Sequence, residues 1–184
     1  MSGPGVRGAG DPSAPPPIEV LDTVSPDDFA VSLAPLFEGA PRFLGRLAAA
    51  RPFGTVDALF VAARRIGHAM PQAEQIELID AHPRLGAPPG TVSALSFREQ
   101  GYDHGDVTDL AAAFDHLNAA YESRFGFRYC VFVAGRSRAA LLPGFEAALT
   151  ADRDAELTRA IDAVIDIARD RHARLTAGTK EAGS

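Results

Sequence analysis

Apolar residues recur along this chain mainly at spacings of three and four, and the elements this pattern predicts are helices. Periodic stretches run over about 41–50, 55–70, 72–81, 106–125, 137–150 and 152–175. The start Ser25-Pro26-Asp27-Asp28 supplies an N-cap, a proline at the first helical position and acids in the first turn. Thr55 and Ser137 stand as caps before two further stretches, and Pro52, Pro71, Pro83 and the pair Pro88-Pro89 punctuate the joins. Phe114, Leu117 and Tyr121 form an apolar face that ends at Gly126, where a left-handed C-cap is expected. One run breaks the rule. Tyr129-Cys130-Val131-Phe132-Val133-Ala134-Gly135 is too short and too β-branched for a helix and reads as a buried extended segment. The expectation is an all-α single-domain bundle of about seven to nine helices, with a short extended segment near 129–134.

The 184 residues suit one compact domain able to bury a sizeable core. Residues 1–17 are rich in Gly, Pro, Ser and Ala and read as a disordered leader, without the apolar stretch of a secretion signal. The helical domain is expected over 18–175, and 176–184 as a small, polar tail without the Ser-Lys-Leu peroxisomal address. No segment is long and apolar enough to span a membrane. The lone cysteine, Cys130, cannot form an intramolecular disulfide and fits a reducing cytosol, so the expected location is cytoplasmic. A net charge of −6, with a pI near 5.3, argues against nucleic acid as a partner. The five histidines show neither His-x-His nor His-Glu-x-x-His spacing, and no glycine-rich phosphate motif occurs. Neither a metal nor a cofactor is expected.

Three clusters carry candidate chemistry. His82 follows the amphipathic segment 71–81, and Pro83 disfavours helix at the residue before it. The imidazole therefore sits at a helix exit on a stiff turn, placed either to cap the last carbonyls or to move a proton near neutral pH. Ser96 and Glu99 have capping-box spacing, with Gln100 beside them. The same groups can hold the polar edges of a small ligand. In the last helical stretch Leu157, Ile161, Val164, Ala168 and Leu175 make one apolar stripe, and Arg171 falls on it. A guanidinium pointed at a core needs an anion, either structural or from a ligand. Arg169 and Arg174 fall off the stripe and are expected in solvent.

The order His82-Pro83-x-Leu85-Gly86, then Ser96-x-x-Glu99-Gln100, then Asn118-x-x-Tyr121 with Phe125-Gly126-Phe127, resembles the OHCU decarboxylase family over about 25–175. These enzymes act on 2-oxo-4-hydroxy-4-carboxy-5-ureidoimidazoline (OHCU), between urate and allantoin. This chain departs from the resemblance in a short, Pro-rich link from Gly86 to Ser96, and in Arg128-Tyr129 where Pro-Phe is frequent. The resemblance implies an all-α bundle, a homodimer and cofactor-free decarboxylation of a small ureido-imidazoline to (S)-allantoin. It implies His82, Glu99 and Arg171 as catalytic residues, His82 transferring the proton. Pro83, Ser96 and Gln100, with the backbone of Val131, Phe132 and Val133, would bind substrate. Two alternatives are a non-catalytic helical binding module of the same fold and a hydrolase of a cyclic ureide.

Overall fold

A computed structural model describes residues 14–87, 92–99 and 110–182, apart from the side chains of Phe97 and 179–182. Nine α-helices and one 3-10 turn are present among these residues, with no strand. The helices are α1 (Ile18–Leu21), α2 (Pro26–Leu33), α3 (Pro41–Ala49), α4 (Val56–Ala69), α5 (Gln72–Asp80), α6 (Ala94–Glu99), α7 (Ala111–Phe125), α8 (Arg138–Ala148) and α9 (Arg153–Ala182). The 3-10 turn, Ala34–Leu36, continues α2. Residues 1–13, most of the Pro-rich link and 100–109 lie outside the description, and with them Gln100 and most of the expected leader.

Local chemistry sets the helix ends as the pattern predicts. Ser25 Oγ accepts from the Asp28 N–H, Thr55 Oγ1 from Ala58 and Ser137 Oγ from Ala140. Gly126 closes α7 at φ 78°, a left-handed conformation that costs a glycine nothing, and its N–H reaches the Glu122 carbonyl. The long helix α9 is the spine. It packs on α4, α5 and the 3-10 turn, while α2, α3 and α4 pack in succession. Its stripe is buried as expected: Ile161, Val164 and Ala168 are inaccessible to solvent, and Arg171 is only 1% exposed among them.

The run at 129–133 is non-helical, as expected, with Tyr129, Cys130 and Val133 buried, and it joins no strand among the described residues. It is buried between α7, α8 and α9 by side-chain packing and held by arginines instead of a ladder. Ser96 is not an N-cap: α6 begins at Ala94, and Ser93 Oγ accepts the Ser96 N–H. Both partners of the expected capping box are thereby released for tertiary contacts. Finally, α9 continues past Leu175 to Ala182, through most of the expected tail.

Candidate active site

The helix α5 ends at Asp80, and the chain turns through Ala81 into His82, whose N–H bonds the Ile79 carbonyl. Arg128 fixes this turn from across the fold. Its backbone N–H donates to Asp80 Oδ1, and its Nη1 donates to the carbonyls of Asp80 and His82. The next turn is fixed by Asn118, whose Nδ2 donates to the Leu85 carbonyl at 2.9 Å. Gly86 follows at φ 79°, with Phe114 so close that an added Cβ would sit 3.0 Å from the phenylalanine Cβ. Only glycine satisfies both constraints.

His82 is 4% exposed. Its Nδ1 lies 3.3 Å from the Leu78 carbonyl. A carbonyl can only accept, so Nδ1 carries the proton and Nε2 presents a lone pair. That Nε2 is buried and has no protein partner among the described residues. Burial, reinforced by the Arg171 charge, holds the imidazole down at about 4, against a smaller opposing pull from Glu38. At neutral pH it is an uncharged base.

Arg171 meets its requirement for anions within the protein. Its Nε and Nη2 form a two-pronged pair with Glu99 at 2.6 and 2.8 Å. The Nη2 group also donates to Glu38 Oε1 and Ser96 Oγ, each at 2.9 Å, and Nη1 donates to the Pro35 carbonyl at 3.0 Å. All three guanidinium nitrogens are thus engaged. Ser96 Oγ in turn donates to Glu38 Oε1 at 2.7 Å. Burial works to raise the Glu38 carboxyl, but the Arg171 charge and the hydrogen bonds from Ser96 and Ser93 outweigh it and leave it below the ordinary carboxylate range.

Sequence reasoning missed Glu38. It stands in the turn between the 3-10 segment and α3, at φ 51° and followed by Gly39 at φ 97°. Its only local signal is an acid beside a turn glycine. A partner 133 positions away leaves no trace in such a pattern. The left-handed backbone of a non-glycine residue is held here by tertiary bonds.

The irregular run 129–135 forms the opposite wall. Arg159 Nη1 donates to the Cys130 carbonyl, while its Nε and Nη2 grip Glu156, which also accepts from the Tyr121 hydroxyl at 2.7 Å. Arg136 takes the Phe132 and Val133 carbonyls. The backbone N–H groups of 131–135 are bonded to no protein acceptor among the described residues. Burial pushes the Cys130 thiol up to about 12, which keeps it protonated and unreactive.

These walls line one pocket that opens to solvent. His82, Pro83, Ser96, Glu99, Val131, Phe132, Val133 and Arg171 all line it, so the tertiary structure gathers every candidate residue that lies among the described ones. Cys130, Ile167, Asp170 and Arg174 line it as well. Arg169 lies on the surface, paired with Asp57, as its place off the stripe predicts. Arg174 is exposed as well, at 55%, and its long side chain reaches round the helix to border the cavity.

The chain is similar to several known proteins. Among curated proteins, the 2-oxo-4-hydroxy-4-carboxy-5-ureidoimidazoline decarboxylase of Haloferax volcanii is 28% identical over 152 residues, 82% of this chain and 90% of that protein. The uric acid degradation bifunctional protein PucL of Bacillus subtilis is 32% identical over 143 residues, which are 76% of this chain but 28% of that longer protein. Among solved structures, an OHCU decarboxylase crystallised in the presence of (S)-allantoin superposes with a TM-score of 0.63 at 21% identity, covering 76% of this chain and 93% of its own. An (S)-allantoin synthase does so at 0.65 and 19% identity, covering 88% and 54%. These two likenesses establish a shared fold. Residues 22–173 match the family model described as OHCU decarboxylase, and the chain belongs to that family.

Proposed function

We propose that the cavity binds OHCU and that His82 acts first as a base and then as an acid while the substrate loses carbon dioxide to become (S)-allantoin. Family membership makes the chain a carboxy-lyase of urate degradation. The observation that carries the residue assignment is the buried, uncharged imidazole with Nε2 unpartnered among the described residues, in the cavity that Glu99 also lines. A base held neutral at pH 7 can take a proton before it gives one.

The bond between the ring and the carboxylate carbon breaks, and its electron pair moves into the conjugated ring. A ring nitrogen then takes up a proton from solvent. The substrate hydroxyl becomes a carbonyl as His82 Nε2 takes its proton. The imidazolium returns that proton to the adjacent ring carbon on one face, which sets the configuration. The ring is its own electron sink, so no cofactor enters. Glu99 keeps lone pairs beyond those used by Arg171, and these orient the hydroxyl or the ureido N–H groups. Ser96 and Gln100 hold polar edges of the ring, and Pro83 shapes the floor. The unpaired backbone N–H groups at Val131, Phe132 and Val133 receive a ureido or ring carbonyl. Arg171 works mainly through Glu99 and Glu38, holding both carboxylates in place.

We place the enzyme in the cytosol as a homodimer; the buried, unreactive Cys130 is compatible with a reducing compartment. The functional test supplies freshly generated OHCU to the purified chain and follows the product by circular dichroism. Formation of (S)-allantoin faster than the racemic background is expected. A ring-opened acid would mark a hydrolase, and an unchanged racemic time course a binding module.

A further inference from the structure

The lining of the cavity leaves the substrate's own charge unanswered. Arg171, the single guanidinium in the buried part of the site, is shared between Glu38 and Glu99. Two carboxylates therefore face one cation, and His82 adds no positive charge. A carboxylate entering this environment meets an excess of negative charge at short range, in a medium that screens it poorly. Among the described lining residues, one other cation exists: Arg174, at the solvent-facing edge.

We propose that Arg174 is the residue that receives the carboxylate of the incoming substrate, and that Asp170 occupies its guanidinium until the substrate arrives. This rests on the functional reading above. Arg174 lies one turn beyond Arg171 on α9. Its Nε contacts Asp170 Oδ2 at 2.7 Å, an i,i+4 pair whose side chains are 55% and 26% exposed. Nη1 and Nη2 of Arg174 donate to no protein acceptor among the described residues. The planar fork is therefore largely open to a second carboxylate. An exposed pair of this kind contributes little to stability, so exchanging one carboxylate for another meets little resistance. The carboxylate that Arg174 answers is lost as neutral carbon dioxide, and the charge left on the ring is cancelled by the proton taken up from solvent. Allantoin, which is neutral, has nothing for it to hold, and the cavity thereby distinguishes substrate from product. Because the interaction belongs to the ground state, it governs capture of substrate and not the chemical step.

The test compares wild type with Arg174→Gln, Arg174→Lys and Asp170→Asn, reading kcat and KM for OHCU together with inhibition by allantoin. Arg174→Gln is expected to raise KM about five- to tenfold at low ionic strength, the weight of a charge-assisted pair discounted for exposure. Turnover at saturation and the allantoin inhibition constant should stay within about twofold. Added salt should narrow the KM gap, since it screens exposed charges. Arg174→Lys should recover part of the loss, and Asp170→Asn should lower KM by freeing the fork. An unchanged KM in Arg174→Gln overturns the proposal, as does weakening of allantoin binding by the same factor as OHCU. If Arg174→Gln does not fold, Asp170→Asn decides: a KM equal to or above that of wild type overturns the proposal. A wild-type chain inactive on OHCU overturns the functional reading, and this assignment with it; an active wild type with no Arg174 effect overturns this assignment alone.

Discussion

At the scale of single residues, the site depends on which groups are left without a protein partner. The Nδ1–H of His82 is committed to the Leu78 carbonyl while Nε2 has no partner, and burial keeps the ring neutral. An unfolded histidine titrates near 6.5 and this one near 4. Its contribution to stability is therefore present above about pH 6.5 and is lost as the pH falls toward 4. That displacement is worth about 3 kcal/mol in full, with about 2 kcal/mol gone by pH 5. Urea unfolding at pH 7 and pH 5 should show the loss in wild type and a smaller one in His82→Gln. The rate should also persist below pH 6, because the base stays unprotonated where an ordinary histidine would be charged. His82→Gln should lower kcat about 10²–10⁴-fold while still binding allantoin. Near-normal turnover in the folded variant would reduce His82 to a helix terminator. Arg171→Lys keeps the charge but loses the fork, and the side chain is buried between two carboxylates. It should lower both melting temperature and turnover, with a stability loss of about 2–4 kcal/mol.

At the scale of elements, two devices bring unlike pieces of chain to one cavity. The exit of α5 is held by Arg128, and the irregular wall at 129–133 by Arg159 and Arg136. The bonds from Arg128 to the Asp80 and His82 carbonyls hold the turn that carries the imidazole. The crossing of α4 over α9 sets how deep the spine lies. At that crossing Gly67 is so close that an added Cβ would stand 2.9 Å from Ile161 Cγ2. Gly67→Ala gains up to about 1 kcal/mol of helix propensity but adds an overlap costing about 1–3 kcal/mol. A net loss of about 1–2 kcal/mol in denaturant unfolding is expected. A gain would show that the two helices can separate without cost.

At the scale of the whole molecule, α9 joins stability to chemistry. One face buries the core stripe, one position on that face anchors the two carboxylates of the cavity, and the next turn reaches the mouth of the cavity. Among the described residues no helix is long and apolar enough to cross a membrane. The carboxylates of the site, Glu38 and Glu99, already share a guanidinium standing where a cation would have to sit. Treatment with a chelator should therefore leave the decarboxylation rate unchanged. A loss restored by a divalent ion would show that the carboxylates exchange Arg171 for a metal.

The helices were legible in the sequence because their causes are local. Apolar periodicity, the caps at Ser25, Thr55 and Ser137, and the glycine at 126 act within one or two turns, and each recurs in the structure. The stop before His82 was legible for the same reason, since Pro83 acts on its immediate neighbour. The anomaly of Arg171 on an apolar stripe was legible as a demand for an anion, but its partners were not. They are Glu99 and Glu38, 72 and 133 positions away, and only packing brings them within 3 Å. Ser93 displaced Ser96 as the cap of α6, a choice that two serines three residues apart leave open until tertiary contacts claim one of them. The irregular course of 129–133 was likewise decided by long-range bonds from Arg159 to Cys130, 29 positions away. Sequence alone determined the helical pieces and the residue types able to do chemistry. Tertiary structure decided the charge balance of the cavity, because electrostatic partners are selected by proximity in space, which no local pattern encodes.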